Sequence, residues 1–498
     1  MSSFRDSAAP RYLPLNRNQI RLQPLDVERL IDPQHPARKI WGVVEGLDLS
    51  GFEAAARAVE GHAGRSAHSP QLLVSIWIYA YSKGLHSARE IARQMEYEPG
   101  LQWLTALRPV NHHTLSDFRV NHGEALRELF TQVLAMLTMK KLITLERVAT
   151  DGTKIRANVN KKSFSRAERI RRHLKLARQH IGELERQEAE EQTTKQQQAA
   201  RRRAARDEEQ RLAEALAEIQ RLQAAKKHDK KKEPHASTTD AQARFMHTSD
   251  GGLAPSYNVQ IAADAHSGLI VDVEAINDPQ DAAQLAPAAD RLRDSFGRYP
   301  QQMLADAGYT NHETVVAMQT RQIDFYGVMT GRTKQPSGRA EQRDPAYHFT
   351  CFHHDAEANE MVCPQGKRLS FRQERELSGG RRILQWAATG QDCRACSVRQ
   401  KCCPNLKIGK RGRTVSLQQA HPAVDAFDRK MQRESAQAIY KQRAALVEFP
   451  NAWIKQKLGL RRFATRGLPK VRCEALWAAL TYNLQRAFRL APELAMGG

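Results

Sequence analysis

The chain of 498 residues contains no run of about 18 apolar residues, the length that carries a helix across a bilayer. Its opening stretch, MSSFRDSAAPRYLPLNRNQ, lacks the apolar h-region of a secretory signal. Membrane insertion and export are therefore not expected, and a cytoplasmic location is. Cysteine is scarce and odd in number: seven in all, six of them between Cys351 and Cys403. That argues against a secreted disulfide framework and allows a metal site in a reducing compartment. Acidic residues are the clearest shortfall, 55 Asp and Glu against 77 Lys and Arg, for a formal charge of +22. A soluble chain with that excess favours a polyanionic partner over a small neutral one, so nucleic acid is the expected partner.

What is present suffices for real cores, since 41% of residues are apolar. The length exceeds what one core usually organises, and two or three domains are expected. After an N-terminal arm over 1–19, residues 20–145 read as helical. In SPQLLVSIWIYAYSKG, Ser69 is placed to cap and Pro70 to occupy the first helical position, and the apolar positions are too dense for a surface helix. SAREIARQ starts like a capping box, with Ser87 followed by Glu90. In NHHTLSDFRVNHGEALRELF, a cap at Thr114 or Ser116 would present His113, Asp117, Arg119 and Asn121, and the pair of short helices suits a helix-turn-helix DNA reader.

Residues 146–335 change character. Val148–Ala157, Tyr257–Ala263 and Leu269–Ile276 read as strands, the last two joined by the loop DAHSG. A helix capped by Asn277 or Asp278, a strand QMLADAG, a helix from Thr310 and a strand IDFYGVMTG follow, giving the order β-β-β-α-β-α-β. Two insertions interrupt it. Residues 163–238, rich in Arg, Lys, Gln, Glu and Ala, suggest an α-hairpin, with KKHDKKK at its edge and RRRAAR able to touch phosphate. The second, 336–415, is loop-rich and carries C-x2-C-x5-C in CRACSVRQKC. Cys393, Cys396 and Cys402 need one more thiolate to close a tetrahedral zinc site; Cys363 is the natural donor, with Cys351 or His353 as substitutes and plain reduced thiols as the alternative.

Asp151 stands in VATDGTKIRAN, where Asp-Gly would ordinarily make a turn. Asp306 ends a second apolar stretch, MLADAGY. Adjacent parallel strands lie about 4.8 Å apart, close enough for both carboxylates to hold one hard divalent cation. The C-terminal region, 416–490, offers Glu448, and on a single helix Tyr440, Arg443, Glu448 and Lys455 would share a face roughly 140° wide. Pro450 should distort that helix just past Glu448. Three carboxylates suit two Mg²⁺ ions roughly 3.5 to 4 Å apart, with Lys154, Arg156, Arg443 and Lys455 addressing flanking phosphates. Among other acids, Glu474 sits in an apolar, packing context, Glu434 lacks flanking signals, Asp264 falls in the hairpin and Asp278 in a cap.

These residues resemble bacterial insertion-sequence transposases with an Asp-Asp-Glu triad. ATDGTKIRAN is similar to that family's first-aspartate strand and LADAGY to its second. Tyr440, Arg443, Glu448 and Lys455 are similar to its Y-x2-R-x4-E-x6-K signature, with one extra residue between arginine and glutamate and with EFPNAWIK where a Glu-Pro-x2-Gly run is usual. The resemblance implies a ribonuclease-H-like mixed α/β core with an all-α N-terminal domain, closed by a tail over 491–498. It implies metal ligation by Asp151, Asp306 and Glu448, with Mg²⁺ or substituting Mn²⁺. It also implies binding of terminal inverted repeats and target DNA by a homodimer at the nucleoid, with no membrane partner. A catalytically inactive DNA-binding relative or repressor is the alternative; a phosphomonoester hydrolase is disfavoured by the charge.

Overall fold

The structure, a computed structural model, describes residues 16–20, 24–54, 66–187, 195–225, 233–248, 251–329, 344–377, 381–404, 409–419 and 421–495. Most of the arm, the KKHDKKK stretch and the end of the tail lie outside them. The N-terminal part is helical throughout: α1 (Pro36–Glu45), α2 (Ser50–Glu53), α3 (Pro70–Ser82), α4 (Ala88–Gln94), α5 (Pro99–Leu104), α6 (His112–Asn121) and α7 (Gly123–Met139). α3 starts as expected, the Ser69 hydroxyl accepting from the Leu72 N–H 3.3 Å away, and it is buried from Leu73 to Tyr81. α4 uses half of its capping box. Ser87 accepts from the Glu90 N–H, but the Glu90 carboxylate turns to Arg93.

α6 corrects two expectations. Its cap is Asn111, not Thr114 or Ser116. Arg119 does not face outward: it is 5% exposed, its guanidinium lies 4.7 Å over the Trp77 ring, and it donates to the His86 carbonyl at 2.6 Å. Its alkyl stem and flat head fill the interior, so it cannot serve DNA. His113 is exposed.

The central sheet contains β1 (Arg147–Arg156), and after it come the small pair β2 (Phe164–Ser165) and β3 (Ala236–Ser237) around the helices α8 (Ala167–Gln187) and α9 (Lys195–Ala225). The sheet continues with β4 (Arg244–His247), β5 (Leu253–Asp264) and β6 (Ile270–Ile276), then α10 (Leu285–Phe296), β7 (Gln302–Ala305), α11 (His312–Thr320) and β8 (Asp324–Tyr326). Its order is β4-β5-β1-β7-β8, with β6 also on β5. β1 runs antiparallel to β5 and parallel to β7. Leaving β4 aside, the five main strands thus lie third, second, first, fourth, fifth, a mixed arrangement compatible with a ribonuclease-H-like core.

The expected hairpin at DAHSG is present, closed by Gly268 at φ 71°. α10, however, starts at Leu285 with Gln284 before it. Residues 278–281 serve other partners: Asp278 turns back to the Gln280 N–H and Asp281 reaches into the sheet. The first insertion is an α-hairpin with its own apolar seam, Ile170 and Leu174 against Leu212, Ala215 and Ile219.

The second insertion is not loop-rich. It forms a five-stranded antiparallel sheet, β9 (His353–Asp355), β10 (Glu360–Val362), β11 (Arg368–Leu377), β12 (Arg381–Thr389) and β13 (Arg411–Gln419), with α12 (Gly390–Arg394) and α13 (Arg399–Cys402) between the last two. The chain then returns through α14 (Pro422–Met431), α15 (Glu434–Lys441), α16 (Arg443–Gln456) and α17 (Leu468–Leu490). α17 is buried along most of its length and packs on β6 and on α3, α6 and α7. Among the described residues no helix is long and apolar enough to cross a membrane.

Candidate active site

The Asp-Gly step is not a turn, because β1 continues through it to Arg156. Alternation along the strand sets Asp151 on the same face as Ala149. Ala149 and Leu304 pack with Val447 of α16, so this face looks toward that helix. The parallel register pairs Thr150 with Ala305, and the next residue on each strand is an aspartate. Asp306 is fixed by its own turn: its Oδ1 accepts from the Gly308 N–H at 2.8 Å and its carbonyl accepts from the Thr310 hydroxyl at 2.8 Å.

α16 supplies the opposing wall. Val447, Pro450 and Ile454 are buried on one side, leaving Glu448 exposed and Asn451 donating to Asp151 Oδ2 at 3.1 Å. The helix runs through Pro450 to Gln456, where a distortion was expected: Pro450 is buried, and the packing of α16 on β1 and β5 retains the helix. Tyr440 does not share that helix, because α15 ends at Lys441 and α16 begins at Arg443, so Arg443, Glu448 and Lys455 lie on one helix without it. Tyr440 packs instead near Phe427 and Met431 in a separate hollow.

Asp151, Glu448 and Asn451 line one open cleft with Lys154, Arg156, Lys455, Arg461 and Arg462. Burial pushes the Asp151 carboxyl up to about 6, and the charges of Asp306 and Asp281 push the same way, against Arg443 and the Gly152 N–H. The Asp151 carboxyl is therefore raised first by its removal from water, with Arg443 set against the two neighbouring acids. Among the described residues, no three His, Cys, Asp or Glu side chains are arranged as placed to hold a metal ion. The two aspartates are in electrostatic contact and Glu448 shares the cleft with Asp151, but the three carboxylates do not converge on one point.

On the other face of β1 lies a polar layer that sequence reasoning missed. Asp281 accepts from Lys154 Nζ at 3.1 Å, from Asn258 Nδ2 at 2.6 Å and from Gln260 Nε2 at 2.8 Å. The Tyr309 hydroxyl donates to Gln260 Oε1, and burial together with Asp281, Asp151 and Asp306 raises that phenol well above its ordinary range. Lys154, expected to meet DNA phosphate, is thus already paired with Asp281. Two buried polar residues spaced by two in YNVQ were a readable signal, as was Asn451 three residues beyond Glu448. Asp281 offered none beyond its charge.

Gly152 makes this layer possible. A Cβ there would stand 2.5 Å from Asp281 Oδ1 and 2.7 Å from Gln260 Nε2. Gly152→Ala is expected to lower stability by about 1–3 kcal/mol through overpacking, measurable as a fall in thermal midpoint. An unchanged midpoint would show that the layer can move aside.

Arg461 and Arg462 were also unforeseen. The end of β1 pairs with their loop, Arg156 N–H donating to the Arg461 carbonyl at 3.2 Å and Phe463 N–H to the Arg156 carbonyl at 2.9 Å. A chain reversal 300 residues downstream thereby brings two exposed guanidinium groups to the cleft.

The cleft is thus basic and holds the carboxylates of Asp151 on β1 and Glu448 on α16. Residues 362–488 match the family described as a transposase DDE domain, and residues 25–121 match a transposase domain (DUF772). Together the two matches support an insertion-sequence DDE transposase with an N-terminal domain. The first matched span contains Glu448 and neither aspartate. No curated protein matches the chain.

Proposed function

We propose that this chain binds the terminal inverted repeats of an insertion sequence and carries out metal-dependent DNA strand cleavage and strand transfer, with Asp151, Asp306 and Glu448 as the reacting-centre acids. The observation that carries this reading is the parallel register of β1 and β7, which brings Asp151 beside Asp306 at the rim facing α16. The donor set is chemically suitable for a hard divalent cation. It consists of carboxylate oxygens, and Asp306 lies in electrostatic reach of the partly buried Asp151. Two Mg²⁺ ions, when bound, would activate a water or 3′-hydroxyl and neutralise the leaving oxygen.

The chain's own residues do the rest. Asn451 fixes the Asp151 carboxylate in orientation, Arg443 offsets its charge, and the Asp281 layer holds β1 from behind. Arg156, Lys455, Arg461 and Arg462 set the path of the phosphate backbone. The helical layer over 20–145 reads the ends, and two copies act in one synaptic complex because two ends must be joined.

Supercoiled plasmid carrying the element's ends should be nicked with Mg²⁺ and bound but left uncut with Ca²⁺. Equal cutting by an Asp306→Asn chain would exclude the assignment. The Arg461→Ala, Arg462→Ala double variant should bind DNA more weakly at every sequence, with the slope of log K against log salt reduced by about 1–2, as read by fluorescence anisotropy. A second reading, a DNA-binding relative without cleavage, is favoured by the failure of the three carboxylates to converge as placed. It predicts binding without nicking in either metal.

A further inference from the structure

The inserted sheet carries a second cluster of chemistry that strand cleavage does not use. Between β10 and β11 the chain makes a tight turn around Cys363. The Cys363 N–H donates to the Lys367 carbonyl at 2.9 Å and the Gly366 N–H to the Cys363 carbonyl at 2.8 Å. The Lys367 N–H points at Cys363 Sγ, 3.3 Å away, and Gly366 takes φ 74°, which a side chain rarely adopts.

A second amide is aimed at a second sulfur. At the same end of the sheet, where β12 ends beside the start of β11, Thr389 caps α12, which carries Cys393, and the Arg413 N–H of β13 lies 3.3 Å from Cys393 Sγ. A Cβ at Gly412 would sit 2.4 Å from that sulfur, so glycine is what allows β13 to pass it. Both sulfurs thus receive an amide donor, the kind of hydrogen bond that orients a metal ligand.

Cys363, Cys393 and Cys402 all pack against one apolar cluster built on Trp386, and Cys393 lies within electrostatic reach of Cys402, Cys396 and Cys363. Of the other cysteines, Cys351 is exposed and donates to the Pro345 carbonyl, Cys403 is buried with its Sγ 3.7 Å from Cys402 Sγ, and Cys473 lies in α17.

We propose that Cys363, Cys393, Cys396 and Cys402 form a structural site for one zinc ion that ties the β10–β11 turn to the α12–α13 segment. Four sulfurs at about 2.3 Å from one ion make a closed tetrahedral centre with no open position, which excludes a direct part in hydrolysis. As placed, the sulfurs are not drawn to a common centre, so closure requires the cysteine side chains to move toward one another from a turn and a helix that lie at one end of the sheet. The sheet has reason to need such a tie, since its core cluster amounts to six buried apolar residues among those described, and small cores of this kind are commonly stapled by metal.

The full chain, purified without chelator, is expected to contain one zinc per molecule by elemental analysis. Cobalt substitution should give thiolate charge-transfer bands and the visible bands of a tetrahedral ion. Zinc should also protect four thiols of the unaltered chain from a disulfide reagent, a measurement that needs no variant to fold. Cys363→Ser and Cys396→Ser should each lose the metal, and Cys351→Ser should retain it. A chain that takes up no zinc when incubated with excess ion, or loss of zinc on Cys351→Ser, would overturn the assignment.

Discussion

Replacing Asp151 with asparagine is expected to abolish strand cleavage and, at the same time, to raise the melting temperature at neutral pH. Removal of one carboxylate from the proposed set costs several kcal/mol of transition-state stabilisation, a loss of about a thousandfold or more in rate. End binding should persist, because the phosphate contacts lie elsewhere in the cleft. The stability change follows from protonation. The carboxyl moves from 3.8 to about 6 on folding, so between those values the folded chain holds more protons than the unfolded one. Stability therefore falls as pH rises through that window, and the full penalty is present above it. Asparagine carries no such penalty and can still accept from Asn451. The variant should gain at most about 3 kcal/mol at pH 7 and nothing near pH 4, as read by thermal melts at the two values. A variant no more stable than the parent at pH 7 would show that Asp151 is not under the electrostatic load described.

The second large effect is expected at Trp477. Its indole N–H donates to the Arg119 carbonyl at 3.2 Å, and its ring lies 6.5 Å from Trp77 and 6.4 Å from Phe118. Arg119 in turn covers Trp77. One side chain of α17 thus closes the interior of the N-terminal helical layer. Trp477→Ala should cost about 3–5 kcal/mol, the range for deleting a large buried aromatic, and it also strands the Arg119 carbonyl. Denaturant unfolding should show a lower midpoint, together with early loss of helical signal from the N-terminal part. An effect below about 1 kcal/mol would mean that the two regions fold independently.

Much of the architecture was legible because it is written in local signals. Ser69 and Pro70 announce α3, the dense apolar run within it predicts full burial, and the apolar stretches ending at Asp151 and Asp306 predict strands. The unread features depend on partners far away in the chain. Asp281 looked like part of a helix start, but Lys154, Asn258 and Gln260 hold it in the sheet and delay α10 to Leu285. Arg119 carried the charge of a DNA contact, yet its neighbours are Trp77 and the His86 carbonyl. Pro450 is a helix breaker by propensity and is overruled by packing against β1. The inserted sheet escaped notice because strands such as RLSFRQEREL are largely exposed, with Leu369 the one buried residue among those described in it. At the site, the residue types of the acids were evident from their positions, whereas the Asn451 contact and the Arg461–Arg462 loop arise only from tertiary folding.

The joint interior of α17 with α3, α6 and α7 has a temporal consequence. The helical layer that begins the polypeptide completes its core with a helix made some 350 residues later. Until that helix leaves the ribosome, the face around Trp77 lacks the Trp477 ring that completes it, and closing so long a loop is entropically costly and slow. Acquisition of the native state is therefore a post-translational event, and a chain interrupted before residue 468 would emerge with its opening helices unfinished.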